Sequence, residues 1–257
     1  MTDRQLSVVI PARNEAALLP GTIEAILDAI AALEQRESSA LDLRDTRAEL
    51  IVVDNGSTDD TATRVAPYVE RHHVTLLGSQ RRGAACARND GARIARGRLL
   101  VFVDADTLIP RHALRRVVDL CEREGVGAGI TPFAARDGGR RARAWWAYWN
   151  LLRELPIPRA KAMPAFLFCT REVFDAYGPF DEAVEIGEEW PILAGLYRRE
   201  PRRFRYDKAV VCETSCRRME LQTFGYLRVF LRYQWAVLHR SGRSGYGDHL
   251  RHQGATP

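Results

Sequence analysis

Residues 99–107 read Leu-Leu-Val-Phe-Val-Asp-Ala-Asp-Thr, an apolar run that ends abruptly in two carboxylates one residue apart. An uninterrupted apolar, partly β-branched run of this length suits a strand buried on both faces. Asp104 and Asp106 then fall at its carboxyl end, with side chains free to point into a crevice. Hard oxygen donors gathered at one spot suit Mg²⁺ or Mn²⁺, which keep coordination positions open for diphosphate oxygens. Asp-x-Asp by itself also serves turns and caps, so its weight comes from what surrounds the strand.

The same pattern recurs upstream. Leu6 to Ile10 is a short apolar stretch stopped by Pro11, and apolar residues then recur at helical spacing from Glu15 to about Leu33. Glu49 to Val53 is a second buried strand ending in Asp54. There Asn55-Gly56 supplies a turn, Ser57 or Thr58 can cap the next helix, and Asp59 and Asp60 favour its N-terminus. A strand near Val74 to Leu77 and a helix from about Ala84 to Ala95 complete the approach to residue 99. Strands alternating with helices predict an α/β fold with a mostly parallel sheet flanked by helices. Ligands bind such sheets beyond the carboxyl ends of the strands. Asn14-Glu15, Asp54 to Ser57 and Asp104 to Asp106 all fall there, so three strand ends are expected to converge on one crevice. Gln35 to Ala48, polar and without period, reads as a surface insertion.

Downstream come a helix from Arg111 to Glu124 and a strand from about Val126 to Phe133, after which regularity fades into a Gly- and Arg-rich stretch and the aromatic Trp145-Trp146-Ala147-Tyr148-Trp149. These aromatics read either as a buried helix or, at Trp146 and Trp149, as an acceptor-facing element. Leu221 to Leu238 is helical in pattern, with Leu221, Phe224, Leu227, Leu231, Trp235 and Leu238 on one face. That face is expected to close the core, the alternative being an anionic membrane surface. Residues 241–257, rich in Gly, Ser, His and Arg, read as a mobile tail, with His249 and His252 as remote metal-ligand candidates.

At 257 residues and 46% hydrophobic content, the chain is long enough for one α/β domain over residues 1–240 with a full core. The net charge of +5 comes from an arginine excess in which Lys161 and Lys208 are the only lysines. It accommodates an acidic small molecule or an anionic surface. No reading helix or aromatic-basic RNA motif points to nucleic acid. Five scattered cysteines form neither a disulfide framework nor a zinc spacing, and no signal-peptide core or long uncharged run stands out. The expectation is a cytoplasmic location, with a peripheral position on the inner face of the membrane as the alternative. Oligomeric state is not legible.

Three segments taken in order, VVIPARNEAALL (8–19), LIVVDNGSTDDT (50–61) and RGAACARNDGARIARGRLLVFVDADT (82–107), resemble family 2 glycosyltransferases, and the resemblance resumes at YGPFDEAVEIGEEWPILAGLYRR (177–199). It implies the GT-A fold, Rossmann-like, with a donor-binding half over 6–110, an acceptor-binding half over 111–240 and a C-terminal helical extension. It further implies a nucleotide-sugar donor, a UDP-sugar being commonest, held around Pro11, Ala12, Asn14, Glu15, Asp54, Gly56 and Ser57. Asp104, Ala105 and Asp106 match the ribose and metal-diphosphate corner, Asp106 as the more direct ligand of Mn²⁺ or Mg²⁺. Arg88 matches a position able to neutralise diphosphate, or is held in an ion pair. Gly187-Glu188-Glu189 matches the segment carrying the base, so Glu189 is expected to deprotonate the acceptor hydroxyl of a saccharide or lipid-linked acceptor, with inversion. Glu188, Arg217 and Arg218 match positions near the acceptor or diphosphate. Three alternatives stand beside this: a retaining enzyme of the same fold, a sugar-phosphate nucleotidyltransferase, and a non-catalytic nucleotide-sugar-binding module. The residues after the first strand, PARNEAALLP, lack the Gly-rich loop of the second, and the acids at 104, 106 and 189 speak against the third.

Overall fold

The computed structural model describes residues 5–35, 41–161, 164–184, 186–220 and 225–239. In chain order these form β1 (Leu6–Ala12), α1 (Leu19–Glu34), β2 (Ala48–Asp54), α2 (Thr61–His72), β3 (Thr75–Gly78), α3 (Ala84–Ile94), β4 (Leu99–Val103), β5 (Thr107–Leu108), α4 (Ala113–Arg123), β6 (Ala128–Ile130) and β7 (Phe133–Ala135). There follow α5 (Arg140–Glu154), β8 (Phe166–Thr170), α6 (Arg171–Tyr177), α7 (Trp190–Arg199), β9 (Phe204–Tyr206), β10 (Cys212–Thr214), α8 (Arg217–Glu220) and α9 (Gly225–His239).

A seven-stranded sheet in the order β3-β2-β1-β4-β8-β6-β9 carries the fold. β1 to β4 are mutually parallel where they pair, and β8 runs antiparallel to both β4 and β6. Successive residues of the central strands enter opposite cores. Val8, Ile10, Leu50, Val52, Val101 and Val103 pack under α1, α4 and α5, while Val9, Ile51, Val53, Leu100 and Phe102 pack under α3, α6 and α7. Burial on both faces is why these strands are continuous apolar runs with no polar alternation. The register pairs Ala12 with Asp54 and Asp54 with Gly78, so the carboxyl ends of β1, β2 and β3 are level. A second, three-stranded sheet, β5-β10-β7, stands at that same end and sets Thr214 opposite Thr107.

Four sequence expectations are corrected. The strand expected over Val126 to Phe133 is two strands in two sheets, parted at Thr131-Pro132, because proline has no N–H to donate to a ladder. The Gly- and Arg-rich stretch is the entry to α5, which takes in the aromatic run as well. Within residues 35–48, Leu41 and Leu43 are core side chains, and residues 36–40 lie outside the described ones. The apolar face assigned to the last helix does not close the core: Leu227, Leu231 and Trp235 are exposed, and α9 instead turns Tyr226, Val229, Phe230 and Tyr233 inward onto α5. Leu221, Phe224, the side chain of Leu238 and the tail with its two histidines lie outside the described residues. Among the described residues, no helix is long and apolar enough to cross a membrane.

Candidate active site

The loops after β1 and β2 are locked side by side by their own polar side chains. Asp54 Oδ1 accepts from Ser57 N at 3.0 Å and from Ser57 Oγ at 2.5 Å, and Ser57 Oγ in turn accepts from Asn14 N at 3.0 Å. Asn14 Oδ1 accepts from Thr58 N at 2.8 Å. Asn14 sits at φ 54°, left-handed backbone that asparagine tolerates better than most residues. Glu15 N donates to Thr61 Oγ1 at 2.9 Å. Asn55 reaches the other way, donating to Arg81 O and accepting from Gly83 N at 2.8 Å, which fixes the approach to α3. Pro11 and Ala12 close β1 beside this bracket, and Gly56 makes its turn at φ 70°. Asn14 and Ser57 therefore build the walls of the corner, and Asp54 is the carboxylate they aim.

Asp104 and Asp106 follow β4 as the sequence indicates. Asp104 N donates to Ala165 O at 2.9 Å, and Ala105 O accepts from Thr22 Oγ1 of α1 at 2.8 Å, so the segment is pinned from both flanks. Thr214 Oγ1 of β10 donates to Asp106 Oδ1 at 3.3 Å. Among the described residues no group of three or more His, Cys, Asp or Glu could hold a metal ion. Two carboxylates one residue apart beyond the carboxyl end of β4 fit a hard divalent cation that takes its remaining ligands from diphosphate and water; Asp104 and Asp106 are the residues that would hold it.

Arg88 does not stand apart as a diphosphate ligand. Its Nη2 donates to Asp104 Oδ1 at 2.7 Å and its Nη1 to Glu188 Oε1 at 2.9 Å, with the guanidinium 5.6 Å from the Phe180 ring centroid. Burial opposes its charge, but Asp104, Glu188 and Glu189 outweigh that and hold its pKa above the usual arginine range. The segment bearing the acid pair is tied to α3 again by Asn89, which donates to Phe180 O at 3.0 Å and accepts from Phe180 N at 2.9 Å. Gly187 turns at φ 82°, where a side chain would overlap the Trp190 indole, so glycine is required just before the acids. Glu189, 3% exposed, then stands at the N-terminus of α7.

Arg217 also has a different partner from the one the sequence indicates: it forms an ion pair with Glu15, itself 2% exposed, 202 positions away in the chain. The pair joins α8 to the first strand's loop. Arg218's side chain lies outside the described residues. Trp146 and Trp149 are not acceptor contacts but core: Trp149 is 0% exposed, and Trp146 packs 5.5 Å from the Phe133 ring. Their size and lack of charge bury them against the sheet before any ligand can reach them.

Several supporting residues have no signature in the sequence. Arg153, fully buried, is stacked 4.9 Å from the Phe133 ring centroid and donates to Asn150 Oδ1 at 3.1 Å. Burial lowers its pKa to about 10, against the opposing pull of Tyr206, Glu189 and Tyr233. Asp137 accepts from Ser215 Oγ and Cys216 N, each at 2.5 Å, and so sets the start of α8. Only the tertiary fold brings these groups to their partners.

The model of the family described as Glycosyl transferase family 2 matches residues 7–175. Among curated relatives, the chain is similar to a glycosyltransferase, AglE, of Haloferax volcanii (28% identical, covering 68% of this chain and 55% of that protein). It is also similar to a dolichyl-phosphate beta-glucosyltransferase of Dictyostelium discoideum (36% identical, covering 46% of this chain and 36% of that protein). The chain thus spans about half the length of the first relative and less of the second. Among solved structures, a mannosyltransferase of Pyrobaculum calidifontis in complex with GDP-Man and Mn²⁺ superposes with a TM-score of 0.66 at 25% identity, covering 95% of this chain and 66% of that one. Glucosyl-3-phosphoglycerate synthase of Mycobacterium tuberculosis shares the fold at TM-score 0.59 and 23% identity, covering 91% of this chain and 80% of that one.

Proposed function

This chain belongs to glycosyl transferase family 2, and from that premise we propose that it moves a sugar from a nucleotide-diphosphate donor to an acceptor hydroxyl, with inversion at the anomeric carbon. The observation that carries the proposal is the Arg88 guanidinium, which bonds both Asp104 beyond β4 and Glu188 before α7, while Asp54 ends the parallel strand β2 of the same sheet.

In this reading, Asp54 and the bracket built by Asn14 and Ser57 receive the nucleoside, near Pro11, Ala12, Glu15 and Gly56. Asp104 and Asp106 would hold Mn²⁺ or Mg²⁺, which when bound would supply positive charge to offset the charge growing on the departing diphosphate. Glu189 is the acid assigned as base by the resemblance of Gly187-Glu188-Glu189 to the base-bearing segment, and its neighbour Glu188 pairs with Arg88. Its carboxylate accepts the proton of the acceptor hydroxyl as that oxygen bonds to the anomeric carbon and the bond to the diphosphate oxygen breaks. The electron pair of the broken bond leaves with the nucleoside diphosphate, and Glu189 later returns its proton to water.

A UDP-sugar is the donor proposed from the sequence resemblance; a GDP-sugar is the second reading, favoured by the mannosyltransferase whose complex contains GDP-Man. A thermal-shift series with UDP-, GDP-, dTDP- and CDP-sugars, with and without Mn²⁺, separates them, since a ligand of the native state raises the melting temperature. Metal-dependent stabilisation by one nucleotide identifies the donor; a folded sample stabilised by none of them overturns the proposal. Glu189→Gln is expected to abolish transfer while donor binding persists, and unchanged turnover removes Glu189 as the base.

A further inference from the structure

Nine large apolar side chains are exposed among the described residues, and seven of them lie on α5, just beyond its end, or on α9. Single exposed leucines need no explanation, but a cluster of this size marks an interaction surface. Leu151 is 65% exposed, Leu231 57% and Trp235 55%. The two helices are fastened by ring contacts, Trp145 to Tyr226 at 5.7 Å, Tyr148 to Phe230 at 5.5 Å and Trp149 to Tyr233 at 5.5 Å. The pairs advance together along both chains, so the helices run side by side in the same direction. Gln234 Nε2 donates to the Tyr148 hydroxyl at 3.0 Å. That bond turns the flank of α9 bearing Leu227 and Leu231 toward Tyr148 and Leu151, and the two apolar stripes form one strip two helices wide.

Basic residues mark the end of the strip. Arg140, Arg141 and Arg143 are exposed on the first turn of α5, and Arg228 is exposed beside Leu227. We propose that this strip is a docking surface for an anionic lipid bilayer, with α5 and α9 lying in the interfacial plane. Leucines enter the acyl boundary, Tyr148 and Trp235 sit at headgroup depth, and the arginines meet lipid phosphates. A second copy of the chain fits the apolar part only, because the strip of a second copy, lined by leucine, tyrosine and tryptophan, offers the arginines no counter-charge, whereas lipid phosphates do. The strip begins close to the crevice: α5 follows Asp137, which fixes the start of α8, and α8 carries the Arg217 that pairs with Glu15. The surface stands independently of the proposed reaction, and only its orientation toward an acceptor rests on that reading.

Trp235 is the only exposed one of the chain's five tryptophans, which makes it a local probe. The full chain is floated with vesicles of phosphatidylcholine alone and with vesicles containing phosphatidylglycerol, some carrying brominated acyl chains. Flotation with the anionic vesicles, quenching of emission by the brominated lipid, and loss of that quenching in Trp235→Phe are expected. Leu227→Glu with Leu231→Glu is expected to lower vesicle partitioning at least about tenfold, while nucleotide-dependent thermal stabilisation of the same sample is unchanged. Absence of flotation with either vesicle, or flotation unaffected by the double substitution, overturns the proposal. Self-association in sedimentation that the double substitution abolishes, without vesicle binding, assigns the strip to a second copy and overturns it equally. Because nucleotide binding is read separately, failure of the strip leaves the proposed reaction standing.

Discussion

Arg88 and Glu188 are one hundred positions apart in the chain and 2.9 Å apart in the structure. The same guanidinium reaches Asp104 at 2.7 Å, so one planar fork spans the acid that would share the metal and the acid next to the assigned base. Arginine suits this place because its donors diverge in a fixed geometry; a lysine offers one point charge and cannot hold both acids in the same way.

Replacing Arg88 with alanine leaves Glu188, 17% exposed, and Asp104, 37% exposed, without their counter-charge. A loss of about 1–3 kcal/mol of stability is expected, the cost of leaving a hydrogen-bonded charged group without its partner where solvent still reaches one of the acids. Urea denaturation measures it, and Arg88→Lys is expected to recover only part of the loss. An alanine variant within about 0.5 kcal/mol of the parent would mean that the bridge is a loosely solvated contact.

Thr214→Val removes the hydroxyl that donates to Asp106 Oδ1 while keeping volume nearly constant. Groups that orient a ligating carboxylate typically contribute about 10–100-fold to metal affinity. Calorimetric titration with Mn²⁺ and the donor nucleotide is expected to show a loss in that range for Thr214→Val and no metal-dependent binding for Asp106→Asn. Equal affinities for the parent and Thr214→Val would remove β10 from the metal corner.

The parts of this arrangement that were legible in the sequence are those written locally. Asp54 and Asp104 stand out because each breaks an apolar run, and a doubly buried parallel strand leaves no doubt where the run ends. Arg88's partners were not legible, since nothing near residue 88 specifies residue 188. The Glu15–Arg217 pair, separated by most of the chain, was hidden for the same reason. Helical periodicity misled at α9, where spacing gives an apolar stripe but not its direction. Tyr226, Phe230 and Tyr233 could stack on α5, and that aromatic packing turned the helix so that the leucine stripe faced outward.

Glu49 gives the fold a defined sensitivity to acid. It braces the start of β2, accepting from Ser7 Oγ at 2.7 Å, Arg96 N at 2.6 Å and the Arg96 guanidinium at 2.9 Å. Burial alone would raise its pKa, but the bonds from Arg96 and Ser7 outweigh burial and leave it below the ordinary glutamate value. A carboxylate with a depressed folded pKa contributes stability that is fully present above its unfolded value, about 4.3, and lost as pH falls through the folded value. The parent is therefore expected to lose stability more steeply than Glu49→Gln below about pH 4.5, as followed by urea midpoints across that interval. Parallel acid profiles for the two proteins would exclude Glu49 as a source of the sensitivity.

Gly91 sets the depth at which Arg88 works. It lies three residues further along α3, on the face pressed against the sheet, where an added methyl would overlap Val9 Cγ1 and come within 3.1 Å of Val53 Cγ2. Both valines are fully buried on central strands, so the strain of Gly91→Ala falls on the helix, which must lift. Overpacking of this kind costs about 1–3 kcal/mol, more than alanine's better helix propensity returns. A lifted α3 also draws Arg88 away from Asp104 and Glu188, so the two substitutions share part of their cost. The double variant Gly91→Ala with Arg88→Ala is therefore expected to lose less stability than the sum of the singles. Gly139→Ala, where an added methyl meets nothing within 4 Å, serves as the control and is expected to change stability little. Strict additivity of the Gly91 and Arg88 losses would show that α3 tolerates the methyl by a local adjustment that never reaches the crevice.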